Sequence, residues 1–206
     1  MCSWLLGLLV FGASGAPGDS MARGKALLER GDFEAAEAAF EEAIAADPAR
    51  EEAILGAGRA ARGAGRKEKA LETLLKGIAL VPRSAELHFE AARTLEDLGR
   101  PESAARHHEE ALAIRPEHVP SLVALGVLRS EAGRIDDALR LLARAASLEP
   151  RNLAARHNFA VVKTRKGDLE GALADGRAFL KDSPKTPASV AEIQKAVEDL
   201  ERKLKK

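Results

Sequence analysis

Three cations recur at one interval: Lys25, Arg59 and Arg93 stand 34 residues apart. A guanidinium grips a carboxylate through two parallel hydrogen bonds, whereas an ammonium acts as a point charge. Such a row suits acidic side chains, with Arg59 and Arg93 outweighing Lys25. The other chemistry-bearing cluster is RHHEE at 106–110. His107 and His108 are adjacent, hence about 100° apart around a helix, and cannot close on one ion. His88 and His108 fall on helix-contact positions and read as interior or boundary histidines, so no metal site is expected. G-x-S-x-G, P-loop, H-E-x-x-H and dinucleotide motifs do not occur, so neither catalytic residues nor a cofactor are expected. Lys plus Arg balance Asp plus Glu at 32 each, which gives no bulk attraction to nucleic acid. Cys2 is the only cysteine, so there is neither an intrachain disulfide nor a cysteine zinc cage.

The interval of the cations belongs to the whole chain. Gly31, Gly65, Gly99, Gly133 and Gly167 keep the same 34-residue step, as do Pro48, Pro82, Pro116, Pro150 and Pro184, and Ala36, Ala70, Ala104, Ala138 and Ala172. Counted as 17–50, 51–84, 85–118, 119–152 and 153–186, the units carry the glycine at place 15 and the proline at place 32. A glycine after an amphipathic run ends one helix in the left-handed region, and a proline stops the next. Each unit therefore reads as helix, tight turn and antiparallel helix. Pro101 and Pro120 suit first-turn positions, where a missing amide donor costs nothing. Ala supplies 41 of 206 residues and Tyr is absent, a composition of closely approaching helices rather than a sheet.

Place 8 is Gly24, Gly58, Ala92, Gly126 or Ala160, and place 20 is always Ala. Leu27, Phe40, Leu74, Leu95, Leu125, Leu142 and Phe159 supply the larger contact residues. This pattern resembles the tetratricopeptide repeat family over residues 17–186, with Gly24, Gly31, Ala36, Phe40, Ala43 and Pro48 matching the family pattern in the first unit. The resemblance implies an all-α, right-handed α-solenoid of antiparallel helix pairs whose first helices line a concave face. Unit five departs from the pattern, with Gly176 and Phe179 at places 24 and 27, and its second helix is expected to pack loosely or be displaced. Residues 187–206 carry Val190, Ile193, Val197, Leu200 and Leu204 on one stripe, as a capping helix would. Their cationic end, Arg202, Lys203, Lys205 and Lys206, suits the helix dipole.

Within that frame, places 5 and 9 share one side of each first helix. Place 5 gives Met21, Leu55, Phe89, Val123 and His157; place 9 gives Lys25, Arg59, Arg93, Val127 and Val161. The expectation is a surface with an apolar row throughout and a basic ledge in units one to three, binding a partner peptide with apolar anchors and carboxylates. The function so implied is a non-catalytic interaction scaffold or adaptor, with another protein as partner and no nucleic acid. Two alternatives stay open: a structural subunit of an envelope complex, joined through its outer helices or cap, and a carrier of lipid or another small ligand. One variant of the family clamps C-terminal carboxylates of chaperones with Lys and Asn. Met21 at place 5, and Asn158 in the wrong unit, do not reproduce that clamp.

Residues 1–16, MCSWLLGLLVFGASGA, lie outside every repeat and read as a cleavable export signal: an apolar run from Trp4 to Phe11, then small residues. The run is short of the about 20 apolar residues of a membrane span, so membrane contact is expected only through this transient segment. Cys2 stands too early to be a lipoprotein cysteine. The Ala/Arg/Gly-rich style points to a bacterium, and the expected location is the periplasm or the medium. The rival reading starts translation at Met21 and leaves the protein cytoplasmic.

Overall fold

Every described repeat turns on its place-15 glycine. Gly31, Gly65, Gly99, Gly133 and Gly167 have φ between 67° and 90°, a region in which a Cβ is strained. The residue after each glycine donates its amide back across the turn. Asp32 bonds to the Leu27 carbonyl, Arg66 to Ala61, Arg100 to Leu95, Arg134 to Arg129 and Asp168 to Lys163, at 2.8–3.0 Å. These are the long bonds of a Schellman motif, which satisfy carbonyls that the helix end would leave unpaired.

A computed structural model describes residues 17–182 and 187–204. Residues 1–16, read above as an export signal, Pro184, Lys205 and Lys206 lie outside the described residues, as do the side chains of Phe179, Val190 and Ile193. The described residues form eleven helices: α1 (Pro17–Arg30), α2 (Phe33–Ala46), α3 (Glu51–Gly63), α4 (Lys67–Leu80), α5 (Ala85–Asp97), α6 (Pro101–Ile114), α7 (Val119–Glu131), α8 (Ile135–Leu148), α9 (Leu153–Lys166), α10 (Leu169–Asp182) and α11 (Pro187–Leu204). Pro48, Pro82, Pro116 and Pro150 each stand two residues beyond a helix end. Pro101 and Pro120 lie in the first turns of α6 and α7. Side chains cap three helix starts. Ser84 Oγ accepts the Leu87 amide at 3.0 Å, Asn152 Oδ1 that of Ala155 at 3.0 Å, and Asp168 Oδ1 that of Gly171 at 2.9 Å.

The chain divides into two compact units, residues 1–81 and 82–206. In the first, α1 to α4 pack each on the next, and α1 also meets α3. Phe40, 1% exposed, stands at the centre. A Cβ on Gly24 would lie 2.9 Å from its ring, and one on Gly56 2.5 Å from it. Only glycine lets α1 and α3 close on that ring from both sides, and burying it contributes about 1.5–3 kcal/mol. Glu37, whose side chain is 3% exposed, is held by Arg66 and by Lys69, with Nζ at 2.7 Å from Oε1.

In the second unit, α5 to α11 pack in sequence, and α7 also meets α9. The small-against-large pairing recurs. A Cβ on Gly126 would lie 2.7 Å from Leu142, as one on Gly58 in the first unit would lie 2.8 Å from Leu74. His108 takes the large place opposite Ala92, and both are wholly buried. Repeat five has Ala160 opposite Gly176, small on both sides. There α11 supplies the missing bulk: a Cβ on Gly176 would lie 2.7 Å from Val197 Cγ2. Val197 and Leu200 are buried with Ala172 and Leu173, and Leu153 and Leu169 pack against them. Where the repeat's own side chain falls short, the cap helix covers α10 and leaves a cavity beside Gly176.

Candidate functional site

The place-5 and place-9 residues behave differently in the two units. Met21 is 4% exposed and shares a core cluster with Phe40, Ala53 and Ala57. Leu55 is 9% exposed. The expected apolar row is therefore core, not surface, in the first unit. Alanines at 53 and 57 let α3 come so near α1 that the place-5 side chain is enclosed between them. What this unit leaves outward is the basic ledge. Lys25 is exposed and reaches Glu52 at 3.3 Å, and Arg59 is exposed.

In the second unit the row is half-buried rather than hidden. Phe89 lies against the rings of His108 and His118, with centroids at 5.7 and 5.1 Å. Exposed Arg93 covers it, with Cζ at 5.8 Å from the ring centroid, a cation resting on an aromatic face. Val123 also departs from a free surface, since it packs against two core clusters. Val127, His157 and Val161 are half-buried.

His157 and Val161 border a cavity of about 290 Å³ between α9, α10 and α11. Ala160, Gly176, Val197 and Leu200 give it an apolar floor, and Arg156, Arg165, Asp175, Asp199 and Lys203 stand around it. Nearby, Lys163 Nζ reaches Asp175 at 2.6 Å and lies 4.5 Å from the Phe159 ring centroid. Two features could have announced this cavity in the sequence: the unusual glycine at place 24 of repeat five, and a capping stripe with no large repeat residue to meet.

Four of the five histidines gather where α5, α6 and α7 meet. His107 and His108 do diverge, as adjacent helical residues must. His107 Nδ1 shares a hydrogen bond with His88 Nδ1 at 3.2 Å. His108 Nε2–H donates to Glu96 Oε1 at 2.8 Å. Ser121 Oγ bonds His118 Nδ1 at 2.7 Å and stands 3.4 Å from His108 Nδ1. Burial pushes the His88 imidazole below the ordinary value, against the pull of Glu110. Burial lowers His107 as well, helped by His88 and opposed by Glu110. His118 is lowered by burial and by Arg115, with Glu86 opposing. The pairing of His88 with His107 across the α5–α6 hairpin is not legible in the sequence, because residues 19 apart meet only when the turn is in place. Among the described residues, no group of three or more His, Cys, Asp or Glu side chains is placed to hold a metal.

The arrangement can present cations beside apolar surface and can enclose a small apolar body. Comparison with known proteins bears on the frame that holds it. A tetratricopeptide repeat model matches residues 27–94 and 95–145, and a second one matches 123–187. No curated protein matches the sequence. Among solved structures, a thermophilic TPR protein of Thermus thermophilus is similar at 24% identity. The match covers 88% of this chain and 99% of that one, with a TM-score of 0.71. MamA protein is similar at 22% identity, over 80% of this chain and 90% of that one, with a TM-score of 0.68. YrrB, described as a TPR protein with an unusual peptide-binding site, is similar at 19% identity over 91% of each chain, with a TM-score of 0.64. At these identities the likeness establishes the fold, antiparallel helix pairs of the α-solenoid class. With repeat models matching from residue 27 to residue 187 and a left-handed glycine turn in each of five helix pairs, the chain belongs to the tetratricopeptide repeat family.

Proposed function

We propose that this protein is a non-catalytic adaptor that holds a segment of another protein on the first helices of its repeats. The observation that carries the reading is the pairing of Arg93 with Phe89. An exposed guanidinium lies over a half-buried aromatic face, so one helix side offers an acidic peptide both a charge partner and an apolar contact. Exposed Arg59 gives the first unit a similar cationic point. The peptide-binding site named for YrrB, a similar fold, supports a peptide as the kind of ligand. Because Met21 and Leu55 are enclosed in the core, the first unit taken by itself offers a partner charges, and the second taken by itself offers apolar contact as well.

The test is crosslinking in cells, followed by mass spectrometry, with the parent chain beside Arg59→Glu/Arg93→Glu. Loss of specific protein partners from the double variant supports the assignment. An unchanged partner list from a folded double variant overturns it.

A further inference from the structure

The cavity between α9, α10 and α11 has a sequence cause. In repeats one to four a small residue at place 8 faces a large one at place 24: Gly24 with Phe40, Gly58 with Leu74, Ala92 with His108, Gly126 with Leu142. Repeat five alone pairs two small residues, Ala160 and Gly176. Val197 closes over the glycine, and the remaining space is a cavity of about 290 Å³. That is near the lower end of the about 300–1,000 Å³ usual for small-ligand sites. An apolar cavity of about 150 Å³ accepts a benzene, so this one has room for a body of about eight to ten carbon atoms.

The charges around it are unequal in availability. Both acidic residues of the lining are engaged by cations outside it. Asp175 is held by Lys163 at 2.6 Å, and Asp199 by Arg202 at 2.5 Å. Of the lining cations, Arg165 bonds the neutral hydroxyl of Ser130 at 2.8 Å and is paired with no carboxylate among the described residues, and exposed Lys203 adds a second cation. An apolar floor beneath a cationic rim selects an anionic amphiphile. We infer that this cavity binds a small amphiphilic carboxylate, its hydrocarbon body against Ala160, Val161, Val197 and Leu200 and its carboxylate beside Arg165 and Lys203. This goes beyond the peptide reading and does not depend on it.

Isothermal titration of the full chain with decanoate, and with decyltrimethylammonium as a probe of the same chain length and opposite charge, tests the inference. Decanoate is expected to bind at one per chain and the cationic amphiphile not to bind. Arg165→Glu/Lys203→Glu, at two exposed positions, should weaken decanoate at least tenfold while helicity by circular dichroism is unchanged. Ala160→Phe, which fills the floor, should abolish binding. Arg59→Glu/Arg93→Glu should leave decanoate affinity as in the parent, which separates this site from the proposed peptide surface. Absence of saturable decanoate binding overturns the proposal. So does equal binding of the two amphiphiles, or an affinity that the charge reversal does not change.

Discussion

Val197 of α11 approaches Gly176 of α10 so closely that a Cβ on the glycine would lie 2.7 Å from Val197 Cγ2. The cap helix thus completes repeat five from outside its own hairpin. Val197→Ala removes two buried methyl groups and should cost about 2 kcal/mol, read as a lower midpoint of denaturant unfolding. Gly176→Leu should instead push α11 away, so that limited proteolysis removes the C-terminal helix faster than in the parent. Equal cleavage rates would contradict the contact.

Phe40 is gripped from both sides by glycine. Glycine to alanine within a helix ordinarily stabilises by about 0.5–1 kcal/mol, but overpacking a filled core costs about 1–3 kcal/mol. With the Phe40 ring 2.5 Å from the new Cβ, the packing cost wins, and Gly56→Ala should destabilise the protein. In a Phe40→Leu background the same change should be neutral or stabilising. The expected coupling is about 0.5–3 kcal/mol in a double-mutant cycle, and simple additivity would argue against the contact.

Glu37 is a buried carboxylate whose charge is met by Arg66 and Lys69. Arg66→Met/Lys69→Met should leave it uncompensated, at a loss of about 3 kcal/mol, because an unpaired buried charge costs more than the pair contributes. Adding Glu37→Met to that double variant should recover much of the loss. The order of the three unfolding midpoints is the measurement. A triple variant less stable than the double would show that Glu37 matters for more than its charge.

The histidine cluster predicts an acid sensitivity of the second unit. The pKa values of His88, His107 and His118 lie below the ordinary 6.5 in the folded chain, so the unfolded chain binds protons first. Their contribution to stability is complete above pH 6.5 and is lost as pH falls through the lowered folded values. The thermal midpoint should therefore fall on the acid side of neutrality, and His88→Gln/His107→Gln should flatten that dependence. A profile with unchanged slope in the double variant would remove these two residues from the account.

Much of the frame is legible from the residues. Glycine at place 15 is needed because the turn requires positive φ, and the small and large residues at places 8 and 24 specify how the paired helices touch. Both requirements act within one hairpin. The site is only partly legible. Place 5 reads as a surface row, yet Met21 is enclosed by Ala53 and Ala57 of the following repeat. Its spacing gives the helix side, while the closeness of the neighbouring helix decides exposure. His108 reads as a contact residue and is wholly buried, but its bond to Glu96 depends on how α5 and α6 are rotated against each other.

Repeat length, helix ends, turns and the small-to-large pairing are written in the residues themselves. Each of these follows from backbone conformation or from side chains held in register by a short turn. That Val197 closes over Gly176, that His88 faces His107, and how much space remains beside Ala160 follow from the tertiary structure. Those outcomes depend on the distance and rotation between packed helices, which many small contacts fix together and no local stretch of residues encodes alone.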